Sequence, residues 1–472
     1  MPTRSTHQQH TSWPRVNGNV SFWMDQMAPI QRRQPLAGDV DVDVAIAGAG
    51  FSGLWTAYYL LQARPDLVVA VVEKEFAGYG ASGRNGGWLS AEPPGNMGRY
   101  AARRGVDATL QLQQEMFRTV DEVISVAQSR GIDASIRKDG LLYFATNDAQ
   151  MNRLKERVAS STTWGWTEDD ITLLDAPQLR DRVNVPSGIG GLYTHHAARI
   201  DPARFVRGLA EAVEALGGTV YEDTTVTAFA PHALVTDRGR IRAKNVIVTL
   251  EGYLSRMPGY GRRMLPMNSS MIITEPLTDE AWETLGWRGA ETLGDAAHSF
   301  TYMHRTDDRR IALGGRGVPY NFRSSFDWDG RTNERAVAQL IERLHSIFPA
   351  TATTPVAHTW TGVLGVPRDW SGSVSFDRAT GIGMAGGYVG HGVSATNLAG
   401  RTLADFVLGQ DTQLTRLGWI DRTPRKWEPE PIRWLGASTL YRVYGAADGL
   451  EARSSSGNTS LLAKAATAVA GR

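Results

Sequence analysis

The chain has no cysteine. That excludes disulfides, thiolate nucleophiles, iron–sulfur clusters, Cys-ligated zinc and a thioether-linked cofactor. A reducing compartment fits such a chain, and the cytoplasm is the expected location. An excess of one charge is missing as well: 50 Lys+Arg face 49 Asp+Glu, a net charge of +1. No global field draws the protein to nucleic acid or to an anionic membrane, and neither is an expected partner. The polar opening, MPTRSTHQQHTSWPRVNGNV, lacks the apolar core of a secretory signal. One uncharged stretch, residues 44–63, has about the length of a membrane span. It contains Gly48, Gly50, Gly53, Ser52 and Thr56 and sits between Asp43 and Arg64, which reads better as strand, turn and helix. Lysine is scarce, with six residues and none between Lys244 and Lys426.

What is present describes an ordinary globular protein. Of 472 residues, 42% are hydrophobic and 21% charged, which excludes a disordered chain and a coiled coil and allows two or three domains. The 50 glycines announce tight turns and close backbone approach. Residues 1–38 read as an irregular arm anchored by Trp13, Phe22 and Trp23. VDVDVAIAGAG then alternates and turns wholly apolar, FSGLWTAYYLLQARP has helical spacing, and LVVAVVEKE is a second buried strand. The result is a βαβ unit. Further on, the pattern predicts one helix over 101–130, a strand over 138–146 and a helix near 148–160. Asp201 should cap a helix from Pro202, three strands should follow to residue 250, and a helix should cover 333–347. GIGMAGGYVGHGV leads into a helix over 394–409, and the tail is a weak helix or frayed.

The βαβ unit carries the first motif. Gly48 permits a tight turn, Gly50 lets a pyrophosphate approach the backbone, and Gly53 lets helix and strand pack closely. The helix N-terminus offers free N–H groups and a positive dipole end to phosphate. Glu73, 20 residues beyond Gly53, stands where an acid binds ribose hydroxyls and would repel the 2′-phosphate of NADP. The second motif, residues 80–87 (GASGRNGG), places Gly80, Ser82, Arg84, Asn85, Gly86 and Gly87 where backbone and side-chain donors can meet a pyrophosphate and a ribityl chain. Arg84 should fork onto phosphate.

With these two motifs on one strand–helix–strand unit, the chain resembles the FAD-dependent amine and amino-acid oxidase family of D-amino-acid oxidase, glycine oxidase and sarcosine oxidase, nearest its gamma-glutamylputrescine oxidoreductase branch. Further strings carry the likeness: KDGLLYFA, RIDPARFVRGLAEA, VIVTLEGY, ITEPL, RIALGGRG, GGYVGHGVSATNLAGRTLADFVLG and WEPEPIRWLGA. It covers residues 40–445. The resemblance implies an α/β fold: a Rossmann-like FAD-binding domain and a substrate domain on a mixed or antiparallel sheet. It assigns 39–100, 195–262 and 355–412 to the FAD domain and 101–194 and 263–354 to the substrate domain. An arm (1–38) and a C-terminal extension (413–472) flank them. Noncovalent FAD is the implied cofactor, with Phe51, Ser52, Lys74, Val226, Gly390, Gly392 and Val393 joining the residues above as contacts. In the Gly386–Val393 loop the family's backbone lies along the flavin's pyrimidine edge. There N–H groups and a protonated His391 would stabilise the reduced flavin. The implied reaction is oxidation of a C–N bond: a neutral amine gives a hydride to flavin N5, and water hydrolyses the imine.

His391, Tyr302, Arg316, Trp360 and Tyr388 are the candidate catalytic or wall residues, with Arg316 a candidate carboxylate site and Trp360 a candidate cavity wall. A small-molecule amine and either oxygen or another electron acceptor are the expected partners. The oligomeric state stays open. A second dinucleotide fingerprint is missing, so the hydride should come from an organic substrate rather than from nicotinamide. The string Gly294–His298 (GDAAH) supports an alternative, a flavin-dependent monooxygenase, although a strand pattern follows it where that class needs a helix. A flavin-bound subunit of a larger complex is the other alternative. No metal is expected: His195 and His196 should point apart on a strand, without an accompanying acid. No GxSxG elbow is present.

Overall fold

A computed structural model describes residues 13–315, 317, 319–454 and 456–471. Among these, five parallel strands run side by side in the order Thr219–Tyr221, Val69–Val72, Val40–Ala47, Arg240–Val248 and Ile382–Gly386. Strand alternation divides the middle one between two cores. Val44 and Ile46 pack with the helices Phe51–Ala63, Pro202–Ala215 and Gly392–Val407, while Ala45 and Ala47 pack with Leu36, Leu254 and Met257. The first half of Arg240–Val248 also pairs with Ala233–Thr236, which pairs with Val226–Ala230. The segment after Gly218 thus gives four strands, not three.

The turn between Val40–Ala47 and Phe51–Ala63 is as tight as its glycines allow. Gly48 has φ +101°, a region closed to most L-residues. A Cβ on Gly53 would clash with the Gly48 carbonyl oxygen and lie 3.1 Å from Ile46 Cγ2. The helix can therefore rest on the strand only with glycine there. Asp201 caps Pro202–Ala215 as expected, accepting from the N–H groups of Ala203 and Arg204 at 3.0 Å each.

A second, nine-stranded sheet is mostly antiparallel. Its order is Val16–Asn17, Val356–Val366, Leu265–Thr274, Ile311–Gly315, Tyr302–Arg305, Thr292–Asp295, Leu141–Ala145, Gly190–Thr194 and Ile171–Asp175. Two parts of this sheet differ from expectation. Val356–Val366 pairs along its length with Leu265–Thr274, although the family resemblance assigns residues 355–412 to the FAD domain. Its apolar run suits either sheet, and only pairing decides. The arm is not irregular throughout, because Val16–Asn17 adds a parallel edge to Val356–Val366. Beyond it Ser21 caps a short helix, Phe22–Asp25, whose Phe22 and Trp23 are buried, whereas Trp13 stays exposed.

The single helix expected over 101–130 is two, Met97–Arg104 and Val106–Ser129, broken at Gly105 with φ +90°. The C-terminal segment forms two helices, Ile432–Arg453 and Leu461–Ala470. Among the described residues no helix is long and apolar enough to cross a membrane.

Gly53→Ala should cost about 1–3 kcal/mol, the range for an overpacked core position. A lowered midpoint in equilibrium denaturation is the expected result; an unchanged midpoint contradicts the close-packing role.

Candidate functional site

A cavity of about 850 Å³ opens where the two sheets meet, and all three glycine motifs line it. Gly48, Gly50, Phe51 and Ser52 form one wall; Gly53 supports it from the helix–strand contact. Beside them Glu73 Oε2 accepts from Ala49 N at 3.0 Å and Oε1 from Glu75 N at 3.2 Å. Burial pushes the Glu73 carboxyl up to about 7, against the pull of these two N–H groups. Lys74 is in the same wall, its Nζ 3.6 Å from the centre of the Trp328 ring, and Val226 faces the cavity from its strand.

The second motif is tied to the first. Ser82 Oγ accepts from Phe51 N at 2.9 Å, and a Cβ on Gly50 would lie 2.9 Å from that oxygen. Asn85 shapes the loop internally, donating to the carbonyls of Ala81 and Ser82 and accepting from Gly87 N at 2.8 Å. Gly80 and Gly86 line the cavity, while Gly87 turns the chain with φ +66°. Arg84 departs from expectation. Its guanidinium is buried, donates to the carbonyls of Tyr79 (2.9 Å), Thr361 (3.2 Å) and Trp328 (2.8 Å), and lies over the Tyr79 ring. These bonds make Arg84 a strut; they use three of its five N–H groups, and Arg84 also lines the cavity. Trp360 departs too. It is fully buried off the cavity, its Nε1 donates to Arg84 O at 2.8 Å, and its ring packs edge-on against Trp23 and His358.

In the third motif Tyr388, Gly390, His391, Gly392 and Val393 reach the cavity. Tyr388 and Ser52 share a hydroxyl hydrogen bond of 2.8 Å, joining this loop to the first. His391 is the N-cap residue of Gly392–Val407, with its Nδ1 3.4 Å from Glu92 Oε2. Sequence reasoning missed Glu251, the buried organiser of this wall. Its carboxylate accepts from Gly387 N at 3.0 Å, Tyr388 N at 3.2 Å and Gly365 N. Burial still pushes it up to about 7, despite those N–H groups. The signal available was one acid straight after an apolar strand, in VTLEGY.

The opposite wall comes from the nine-stranded sheet. Tyr302 shares a 2.8 Å hydroxyl bond with Ser269, and its ring fits only because Gly86 and Gly314 lack side chains that would strike it. Glu92, also missed, is buried among Arg157, His391 and the Tyr143 hydroxyl. Burial raises its carboxyl, but Arg157 and then His391 outweigh this and hold it below the usual range, as an anion. In the GDAAH string Asp295 is buried and spent on Thr301 Oγ1 (2.5 Å) and Arg343 (2.8 Å), and a strand follows as expected. Arg316 lies outside the described residues. His195 and His196 do not point apart. They occupy a turn with ring centres 3.9 Å apart, and Asp170 Oδ1 is 2.6 Å from His196 Nε2. The turn frees them from strand alternation, and His196 packs against Phe117 and Trp166.

The comparisons with known proteins agree with this architecture. The profile of the DAO family, FAD dependent oxidoreductase, matches residues 43–406. The chain belongs to that family. It is 32% identical to gamma-glutamylputrescine oxidoreductase of Escherichia coli K12 over 378 residues, covering 78% of this chain and 84% of that one. The fold is similar to crystal structures of glycine oxidase from Geobacillus kaustophilus (TM-score 0.65, 20% identity, 79% and 96% of the two chains) and of L-proline dehydrogenase from P. horikoshii (TM-score 0.66, 16% identity, 81% and 98%).

FAD fits the residues present. Gly48 and Gly50 line the cavity with bare backbone at the N-terminus of the helix Phe51–Ala63, where phosphate is favoured, and Gly53 holds that helix against the strand. Glu73 lines the cavity beside that turn and would be the residue to hold a ribose there, and Tyr388–Val393 line the same cavity. Because this DAO-family protein buries Glu251 with a carboxyl raised from 4.5 to about 7, its folded state binds a proton there that the unfolded chain has released. Stability should therefore fall as pH rises from 4.5 to 7 and level off above, by an amount on the order of 3 kcal/mol for this one group. Glu251→Gln should flatten that slope in the flavin-free protein, while lowering stability overall because its amide N–H₂ faces donors. Thermal midpoints from pH 5 to 7.5 check it; an undiminished slope contradicts it.

Proposed function

We propose that the chain oxidises the C–N bond of an amine with noncovalent FAD. The observation that carries this reading is a single cavity in which the three FAD-type glycine loops face a wall of Tyr302, Glu92 and Tyr143. The 32% identity to gamma-glutamylputrescine oxidoreductase supports an amine substrate. Bound FAD supplies the two-electron acceptor for a hydride from the carbon beside nitrogen; the resulting imine takes up water to give a carbonyl product and an amine.

This chain's residues bind, orient and exclude water. Tyr302 is fixed by Ser269 and packs edge-on against Trp88, so its hydroxyl and ring form a rigid wall beside Gly86. Tyr388 is buried and held by Ser52. The apolar wall of Val363 and Leu364 lowers the local dielectric, which favours an uncharged amine, the form able to release hydride. Glu92 accepts from an N–H of the incoming amine while Arg157 and His391 keep it ionised. His391, at the start of Gly392–Val407, adds positive potential beside the flavin edge, where negative charge develops. Oxygen is the proposed electron acceptor. Asp295, spent on Thr301 and Arg343, gives the monooxygenase alternative little support.

Anaerobic addition of amines to the holoenzyme should bleach the flavin band, and air should restore it with peroxide formed. Bleaching by NADH or NADPH alone would point to the monooxygenase, and no bleaching by any amine would end the proposal. His391→Ala should slow reoxidation by oxygen on the order of tenfold to a hundredfold, with less effect on reduction by amine. Stopped-flow traces with reduction lost and reoxidation intact would move His391 to the substrate side.

A further inference from the structure

A second cavity of about 500 Å³ adjoins the first. Glu92 and Arg157 line both, so their ion pair is the partition. Its walls include Trp166, Ile171 and Thr194. Next to these in the chain stand Asp170, His195 and His196, a cluster that the sequence pattern conceals. The register of two strands assembles it. Ile171 pairs with Thr194 at the end of the antiparallel ladder between Ile171–Asp175 and Gly190–Thr194. Asp170 and His195 are the next residues on the two strands, so the ladder delivers them side by side. The chain then bends at His195 and His196 before it resumes as Ala197–Arg199. That bend lets two successive histidines face one acid, which strand alternation would forbid.

The parts are held in place. His196 N donates to Thr194 Oγ1 at 3.2 Å, and His196 O accepts from Ala91 N at 3.0 Å. The His196 ring packs against Phe117 and Trp166, and the exposed His195 ring is laid against it with centres 3.9 Å apart. Asp170 Oδ2 accepts from Thr167 N and Thr167 Oγ1, both at 2.7 Å, which leaves Oδ1 for the histidines. Oδ1 is 2.6 Å from His196 Nε2, and one ligand atom of each of the three residues lies within 4.8 Å of the other two. Donors bound at about 2.1 Å around a zinc-sized ion stand roughly 3–3.5 Å from one another. The set closes on such an ion by a turn of the His195 ring and a small opening of the Asp170–His196 pair. A plain Asp–His hydrogen bond accounts for His196, but not for a second imidazole laid against it. Glu168 and Asp169 are exposed in the same turn as Asp170, and the neighbouring cation Lys138 is engaged by Asp121. Among the described residues the other cluster of this kind is His298 with Asp448 and Glu451. There Arg153 already meets both Glu451 and the His298 ring, so a cation fills the place.

We infer that Asp170, His195 and His196 bind a divalent transition ion of the zinc class through two imidazole nitrogens and one carboxylate oxygen, with water in the remaining positions. Imidazole suits zinc, nickel and copper, whereas calcium and magnesium take oxygen donors. The bound ion clips the turn before Ile171 to the bend after Thr194. It thereby fixes the edge of the nine-stranded sheet beside Trp166 and the second cavity. The site stands apart from the amine-oxidising reading, and either can fail without the other.

Calorimetric titration of the holoenzyme with zinc chloride tests the assignment. The wild type should take up zinc saturably, and excess magnesium should not displace it. His195→Ala should remove one equivalent of that binding; the position is exposed, so the variant keeps its packing. Asp170→Asn should remove the same equivalent. Thr167→Val retains all three ligands but no longer steadies the carboxylate through its hydroxyl, and should weaken binding about tenfold to a hundredfold. No saturable uptake by the wild type, displacement by magnesium, or an equivalent that persists unchanged in His195→Ala overturns the site.

Discussion

A buried guanidinium joins the two walls of the cavity. Arg84 comes from the loop after the βαβ unit, and its donors reach carbonyls of Tyr79, Thr361 and Trp328. Thr361 belongs to the nine-stranded sheet, so the bond at that residue ties the loop after the βαβ unit to that sheet. Trp360 returns the bond through its indole N–H to Arg84 O. A buried cation is tolerable only when its donors are met, and bonds from a charged group are worth about 1.5–3 kcal/mol each. A Cβ on Gly362 would lie 3.2 Å from Arg84 Cβ, so the bare glycine lets the strand come close enough for that bond. Tyr302 then finds its slot between Gly86 on one wall and Gly314 on the other.

This arrangement explains what could be read from the sequence. The βαβ unit was legible because its signals are local: a buried strand, a glycine turn, a helix and an acid at fixed spacing. The Asp201 cap and the helix after Asn333 were legible for the same reason. The carbonyl partner of Arg84 in the second sheet and the buried place of Trp360 were not legible because their partners lie far away in sequence, at separations of 277 and 276 residues. An arginine in a glycine-rich loop has the same local signature whether it meets phosphate or three carbonyls. Val356–Val366 was placed with the wrong sheet because an apolar strand carries no mark of its neighbour. The break at Gly105 was missed because one glycine within a helical pattern is often tolerated.

Electrostatics divides the cavity into two regimes. Around the glycine loops the carboxyls of Glu73 and Glu251 meet only backbone N–H groups, and burial wins, bringing both up to about 7. Across the cavity Glu92 meets the Arg157 guanidinium, with His391 beside it, and the balance reverses. The wall of glycine loops therefore adapts its charge near neutrality, whereas the wall at Glu92 keeps an anion paired with the Arg157 cation. A wall of that second kind selects ligands by the order of their donors and acceptors rather than by net charge.

The wall opposite the glycine loops also depends on chain beyond the family profile match. The family match ends at residue 406, yet the helix Ile432–Arg453 returns to brace the cavity. Asp448 accepts from the N–H groups of His298 and Ser299 at 2.8 and 3.0 Å. Glu451 meets His298 Nε2 at 2.9 Å and Arg153 at 2.7 Å. Burial would raise Glu451, but Ser460 N–H, His298 and Arg153 bring it down to about 2, so it stays ionised. Arg153 in turn donates to Ala296 O through two nitrogens. Arg153 stands four residues before Arg157 on the same helix face. The C-terminal helix thereby fixes the helix that carries the partition between the two cavities. The family fold supplies the glycine loops, and the helix Ile432–Arg453 sets the position of Arg153 and His298 on the opposite side of the cavity.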